Sequence, residues 1–311
     1  MMLSCAKFVL DAHVHQRKDD DGMSRFAVMT DSTCDLPDEL AQNHHIDILC
    51  FKIALDGEGY TERVDFTPEQ FCEMLRNAKG LPTTSQITQF EFFERFEEYD
   101  RQGVEEVLYV SINAGGSGTN AAAHAAAEQF HEEHPNSAMR IFIVDSHAYS
   151  MAQGAPVVEA AKRLEAGEPM EKVVAYLEDI YARIEIVLTA YTLKVIRKSG
   201  RVSAAAAIAG DLLGIHPIFT LNDGVSQVVK KIRGDRAVLT AMVDMMKSRM
   251  VAGSPYYIAV SDRKYAEEYT RACTEKVGYG PVSVFVLGCA VLSNTGPDAV
   301  GLIYEGQKRE R

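Results

Sequence analysis

Val104-Glu105-Glu106-Val107-Leu108-Tyr109-Val110-Ser111-Ile112 runs straight into Asn113-Ala114-Gly115-Gly116-Ser117-Gly118-Thr119 and then into an alanine-rich stretch from Asn120 to Glu133. A short apolar run, a glycine-rich break and a long segment of helix formers read as strand, loop and helix. The same order recurs on both sides. Phe26 to Met29 leads through Thr30-Asp31-Ser32-Thr33 to a helix starting at Pro37, and Ile46 to Ile53 forms a further strand. Met139 to Val144 leads through Asp145-Ser146 to a helix from about Ala148 to Glu165. Repeated strand–loop–helix units predict an α/β domain with a parallel sheet.

Between these units, Thr67-Pro68-Glu69-Gln70 combines a capping box with proline at the first helical position. Pro82-Thr83-Thr84-Ser85-Gln86 places three hydroxyls ahead of a helix from about Gln89 to Gln102. Such hydroxyls cap a helix or hold an anion at its free N–H groups. Beyond Gly167 the pattern changes. Pro169 to Arg183 reads as helix and Ile184 to Tyr191 as strand, and residues 203–213 form a small-sided apolar helix. Asn222-Asp223-Gly224 joins two strands in a hairpin, and helix–strand units then lead to a last strand, Ala299 to Tyr304. This half reads as α+β. The expected division is a disordered extension over 1–22, an N-terminal domain over 23–167 and a C-terminal domain over 168–311.

Lys and Arg total 32 against 44 Asp and Glu, a net charge of −12, which disfavours a general nucleic-acid or anionic-membrane binder. No apolar run reaches membrane-spanning length, so stable membrane insertion is not expected. The six cysteines, at 5, 34, 50, 72, 273 and 289, form no CxxC pair, and residues 1–10 lack a secretory signal. A cytoplasmic protein is expected.

Asp31-Ser32-Thr33 and Asp145-Ser146 close predicted parallel strands, at the edge that faces the ligand crevice in open α/β sheets. With Thr84 and Ser117 they make four hydroxyl sites expected to converge on one polar spot. The Gly115–Gly118 loop can cradle an anion, but it lacks the P-loop lysine and reads equally as a tight turn. Asp31 lacks the second Asp of a phosphatase nucleophile, Thr33 standing there instead. No G-x-S-x-G elbow occurs. His124, His131 and His134 share a helical face without an H-E-x-x-H arrangement, so a solvated helix end is favoured and no metal is expected. Lys194, Arg197, Lys198 and Arg201 form a basic cluster, readable as a solvated helix end or as a docking patch.

Taken together these residues resemble the DegV family of bacterial fatty-acid-binding proteins. The resemblance rests on Thr30-Asp31-Ser32-Thr33-Cys34-Asp35-Leu36-Pro37, Pro82-Thr83-Thr84-Ser85-Gln86, Ser117-Gly118-Thr119 and Val144-Asp145-Ser146. Gly200-Arg201-Val202-Ser203, Leu212-Leu213-Gly214-Ile215-His216-Pro217 and Thr295-Gly296-Pro297 complete it, in family order. It implies two α/β domains with a long-chain fatty acid buried between them in an apolar tunnel. Thr84 and Ser117 would hold the carboxylate, with Ser32 nearby and Asn294 as a further binding residue, and no cofactor beyond the lipid is implied. Each buried CH₂ contributes about 0.8 kcal/mol, so a chain of roughly 14 to 18 carbons supplies most of the affinity.

Some members present the lipid to a separate fatty acid kinase, and Arg201 and Arg197 are candidates for docking such a partner. Members with that role carry a histidine before Thr-Gly-Pro, where Asn294 stands here; an amide donates a hydrogen bond but carries no positive charge. Asn120, Ile87 and Asp298 are further departures. Lipid binding is therefore expected more firmly than kinase partnership. The competing class is a hydrolase or small-anion transferase using the same crevice, and a third is a pure interaction module.

Overall fold

The computed structural model describes residues 14–19, 22–202, 205 and 214–309. The first sheet is built from β1 (His15–Asp19), β2 (Gly22–Asp31) and β3 (Ile46–Leu49), and later receives two more strands. A small antiparallel sheet follows, of β4 (Lys52–Leu55), β5 (Glu58–Thr61) and β6 (Thr83–Ser85). β7 (Glu106–Ser111) and β8 (Arg140–Asp145) then extend the first sheet beside β2, all in parallel.

Phe26, Ala27, Val28 and Met29 are fully buried in succession, as are Val107 to Val110. Continuous burial is what a parallel strand covered on both faces requires. Alternate residues serve opposite layers. Ala27, Met29, Val107 and Tyr109 meet Phe92, Phe96 and Phe130 of helices Gln89–Arg101 and Thr119–Glu133. Phe26, Val28, Leu108 and Val110 meet the helices Met151–Glu165 and Met170–Tyr181.

The second sheet is mixed. It takes β9 (Ile184–Ala190), β10 (Ile215–Asn222), β11 (Val225–Arg233), β12 (Tyr256–Val260), β13 (Ser283–Val286) and β14 (Ala299–Glu305). Their spatial order is β11-β10-β9-β14-β12-β13, antiparallel except for the pair β12–β13. The expected hairpin forms: Asn222 pairs with Val225, and Asp223 and Gly224 both take the positive φ of a two-residue turn. Helices Asp235–Arg249 and Ala266–Val277 cover the outer face. The inner face shares one apolar cluster with the first sheet, so the two layers close on each other.

Three expectations are corrected. Residues 1–22 are not a wholly disordered extension: His15–Asp19 pair antiparallel with Gly22–Phe26. His15 is buried, stacks on Phe26 and contacts the carbonyl of His45 at 3.2 Å. Residues 1–13 lie outside the described residues. The stretch Ile46 to Ile53 is two strands, broken where the Phe51 N–H donates to Ser32 Oγ at 3.0 Å. Thr83–Ser85 do not cap a helix but form β6 beside β4. The cap of the following helix is Thr88, in a reciprocal box with Glu91. On either side of residue 167, the helices Met151–Glu165 and Met170–Tyr181 pack on each other, and Met170–Tyr181 also lies against β8. The small-sided helix expected at 203–213 lies, apart from Ala205, outside the described residues.

Candidate functional site

The carboxyl ends of β2, β7 and β8 lie side by side, which places Asp31, the loop after Ser111 and the loop after Asp145 at one edge. Asp31 is fully buried there. Its carboxylate accepts from the Thr33 backbone N–H at 3.2 Å, the Thr33 hydroxyl, Tyr109 Oη at 3.1 Å and the Ile112 N–H at 2.8 Å. Burial pushes its acidity towards the neutral form, and these donors oppose that. Asp31 thus ties three segments together and has no oxygen turned to an open site.

The four hydroxyl sites do not all meet. Ser32, expected near the ligand, donates to Glu62 Oε2 at 2.5 Å and lies outside the cavity lining. Ser146 is spent within its own turn, accepting from the Ala148 N–H at 3.1 Å. Thr84 and Ser117 do come together, along one wall of a cavity between the two sheets. Thr84 pairs with Ile53, and strand alternation turns it to the opposite face from Thr83 and Ser85, which are exposed. Ser117 Oγ stands 2.8 Å from Thr119 Oγ1 and accepts from the Thr119 N–H at 3.3 Å. Both sit at the N-terminus of the 15-residue helix Thr119–Glu133.

Asn294 and Arg201 also line the cavity, whereas Arg197 does not. Asn294 donates to the Ala290 carbonyl at 2.8 Å, one turn back in the short helix Cys289–Thr295. Arg201 is exposed and bonds the Ser199 carbonyl at 3.0 Å. Arg197 is half-buried in the turn Ile196–Ser199.

Sequence reasoning missed three contributors. Tyr149 Oη accepts from Asn113 Nδ2 at 2.7 Å, which leaves its own proton to donate. Burial raises this phenol above its ordinary range, so it stays neutral. Gln86 lies against Gly118 and Tyr149 against Gly116, and a Cβ on either glycine would overlap these side chains. The two therefore flank Ser117. Third, the inner face of the second sheet carries Leu188, Gly301 and Ala259 in register across three strands. The small residues lower the floor between Leu188, Leu287 and Ile303, and Ile186, Leu221 and Val291 extend the apolar lining. The Gly–Leu–Ile alternation of β14 was readable, but its partners in register were not.

A hydroxyl-rimmed, apolar-floored cavity of about 160 Å³ thus lies between the parallel and the mixed sheet of an α/β fold. Residues 25–307 match the DegV family, described as uncharacterised proteins, and the chain belongs to that family. A DegV domain-containing protein of Clostridium perfringens is 29% identical, over 93% of this chain and all of that one. Two similar solved structures are fatty-acid-binding DegV proteins. That of Thermus thermophilus is 27% identical with TM-score 0.78, covering 91% of this chain and 99% of that one. That of Streptococcus agalactiae is 25% identical with TM-score 0.81, at the same coverage.

Proposed function

We propose that this protein binds a long-chain fatty acid, with the carboxylate held by Thr84 and Ser117 and the acyl chain on the floor made by Leu188, Gly301 and Ala259. The observation that carries this reading is the meeting of two hydroxyls, Thr84 on β6 and Ser117 at the start of the helix Thr119–Glu133, on the wall of an apolar cavity closed by the opposite sheet. O–H···O⁻ bonds are short and strong, and the helix N-terminus favours the same charge. The fatty-acid-binding proteins of Thermus and Streptococcus support the ligand class. Tyr149 and Gln86 complete the polar rim.

The protein acts as a carrier and not as a catalyst, since Asp31 and Ser32 are consumed by internal bonds. Asn294 replaces a charged group with an amide already bonded to its own helix, so presentation to a separate kinase would depend on the exposed Arg201. Among the described residues no helix is long and apolar enough to cross a membrane. We place the protein in the cytoplasm.

A space of about 160 Å³ is that of a benzene-sized guest. A long acyl chain therefore requires the walls to part along its length. Native mass spectrometry after incubation with oleate tests the reading, and one bound acid per chain is expected. In the same assay Gly301→Ala is expected to load normally, because a Cβ there meets Ala259 and Leu188 at ordinary contact, 3.7 and 3.9 Å. Gly301→Leu fills the floor, and it is expected to lose oleate while keeping its fold. Persistent absence of bound acid in the wild type would refute the proposal.

A further inference from the structure

Behind the lipid cavity lies a second group of polar residues that lipid binding does not use. Asp35 and Glu62 are both buried; Asp35 ends the turn Ser32–Cys34 and Glu62 directly follows β5. Glu62 Oε1 accepts the Ala290 N–H at 2.8 Å, and Glu62 Oε2 accepts from Ser32 at 2.5 Å. Asp35 Oδ2 accepts from Ser150 at 2.5 Å, while its Oδ1 is buried against the Gly288 backbone, whose N–H lowers its pKa without making a bond of ordinary geometry. That oxygen and Glu62 Oε1 crowd one point beside Gly288: a Cβ there would overlap Asp35 Oδ1 and stand 3.1 Å from Glu62 Oε1. The absent side chain of Gly288 is what lets the two carboxyl groups approach.

Both groups hold walls of the lipid cavity. Ala290, Val291 and Asn294 line it from the helix whose first turn Glu62 grips, and Ser150 lines it from the other side. Ser150 is itself held with φ 60° and ψ −149°, a conformation L residues avoid. On their far side Asp35, Glu62, Gly288 and Cys289 face a separate cleft of about 410 Å³. Protons therefore have a route to the pair that bypasses the lipid.

We propose that Asp35 and Glu62 share a proton and act as a latch on the cavity wall, so that losing it drives them apart and frees the lipid. This rests on the lipid-binding reading for its consequence, but not for the latch itself. Asp35 Oδ1, turned to the same point beside Gly288 as Glu62 Oε1, is the seat of that proton.

Burial, above all, raises Asp35 to about 8 and Glu62 to about 7, and the charge of Glu62 adds to the rise at Asp35. Arg63 faces both and lowers both; it is engaged with the Leu36 carbonyl at 2.7 Å and with Asp38. Asp31 raises Glu62 further. The neighbouring thiols Cys34 and Cys289 are pushed far up by burial and stay neutral. Glu69, at the rim of the cleft, is paired with Arg263 at 2.7 Å. Both folded values lie above the ordinary carboxylate range. The stability contributed by the protonated pair is therefore full at acid pH and lost as pH rises through about 7 to 8.

Hydrogen exchange of the backbone over residues 288–296, in protein stripped of lipid, tests the latch directly. After correction for intrinsic chemistry, opening is expected to rise at least about tenfold between about pH 6 and pH 9 in the wild type. In the double variant Asp35→Asn/Glu62→Gln, which leaves neither carboxyl group to ionise, the rise is expected to stay below about twofold. Oleate release measured by stopped flow should follow the same two patterns. If oleate does not bind at all, the lipid reading fails while the exchange result still judges the latch. Equal exchange at both pH values in the wild type, or the same rise in the double variant, would overturn it. Should the double variant not fold, a carboxyl-carbon NMR titration of the wild type decides: midpoints for both groups below about pH 5 contradict the latch.

Discussion

Ser117→Ala is expected to weaken oleate binding by about 10- to 100-fold, and Thr84→Val by a similar factor, because a hydrogen bond to a charged group contributes about 1.5–3 kcal/mol. Isothermal titration with each variant checks this. Thr84→Val should leave the melting temperature nearly unchanged, since Thr84 sits in a three-residue strand where valine is a good fit. Ser117→Ala also removes the acceptor of the Thr119 N–H at 3.3 Å, so a modest fall in melting temperature is expected and its affinity is scaled to the folded fraction. The double variant is expected to lose less than the sum, since both hydroxyls address one carboxylate. Unchanged affinity in both single variants would move the head group elsewhere on the rim, with Tyr149 and Gln86 as the remaining donors.

The second large effect concerns stability. Asp31→Asn is expected to cost about 3 kcal/mol in urea unfolding, from lost charge-assisted bonds and buried donors left unpaired. Four donors converge on the carboxylate, two on each oxygen. An amide offers one acceptor oxygen and turns an NH₂ towards the remaining donors. Oleate affinity, scaled to the folded fraction, should change little. If Asp31 were instead a nucleophile, the asparagine variant would keep its stability and lose a turnover. The two accounts therefore predict opposite results from one substitution.

The parallel sheet was legible because burial on both faces leaves a continuous apolar run, as in Phe26–Met29 and Val107–Val110. The hairpin at Asp223-Gly224 was legible because few dipeptides accept positive φ twice. Thr84 and Ser117, which share a cavity wall, were singled out through their place in motifs, although the local reason first offered for Thr83–Ser85, a helix cap, does not hold. A three-residue strand has no period to detect, and the true signal, Thr88 with Glu91 three residues on, stood unread beside it.

Ser32 misled for a different reason. It closes a strand at the right edge, but the single 3-10 turn Ser32–Cys34 rotates its hydroxyl towards Glu62, and no sequence period reports that rotation. Tyr149, Gly301 and the Asp35–Glu62 pair were invisible because their meaning lies in partners far along the chain. Asn113 lies 36 residues from Tyr149, and Gly301 gains its role only from Leu188 and Ala259 beside it. The strand at His15–Asp19 was hidden by the acidic run that follows it, which reads as solvated.

A crystal structure of the protein grown with oleate tests the central claim most directly. The account predicts continuous density between the two sheets, with the carboxylate within hydrogen-bond reach of Thr84 Oγ1 and Ser117 Oγ and the chain passing over Gly301. A carboxylate seated away from both hydroxyls, or a cavity between the sheets that stays closed at saturating oleate, would contradict it.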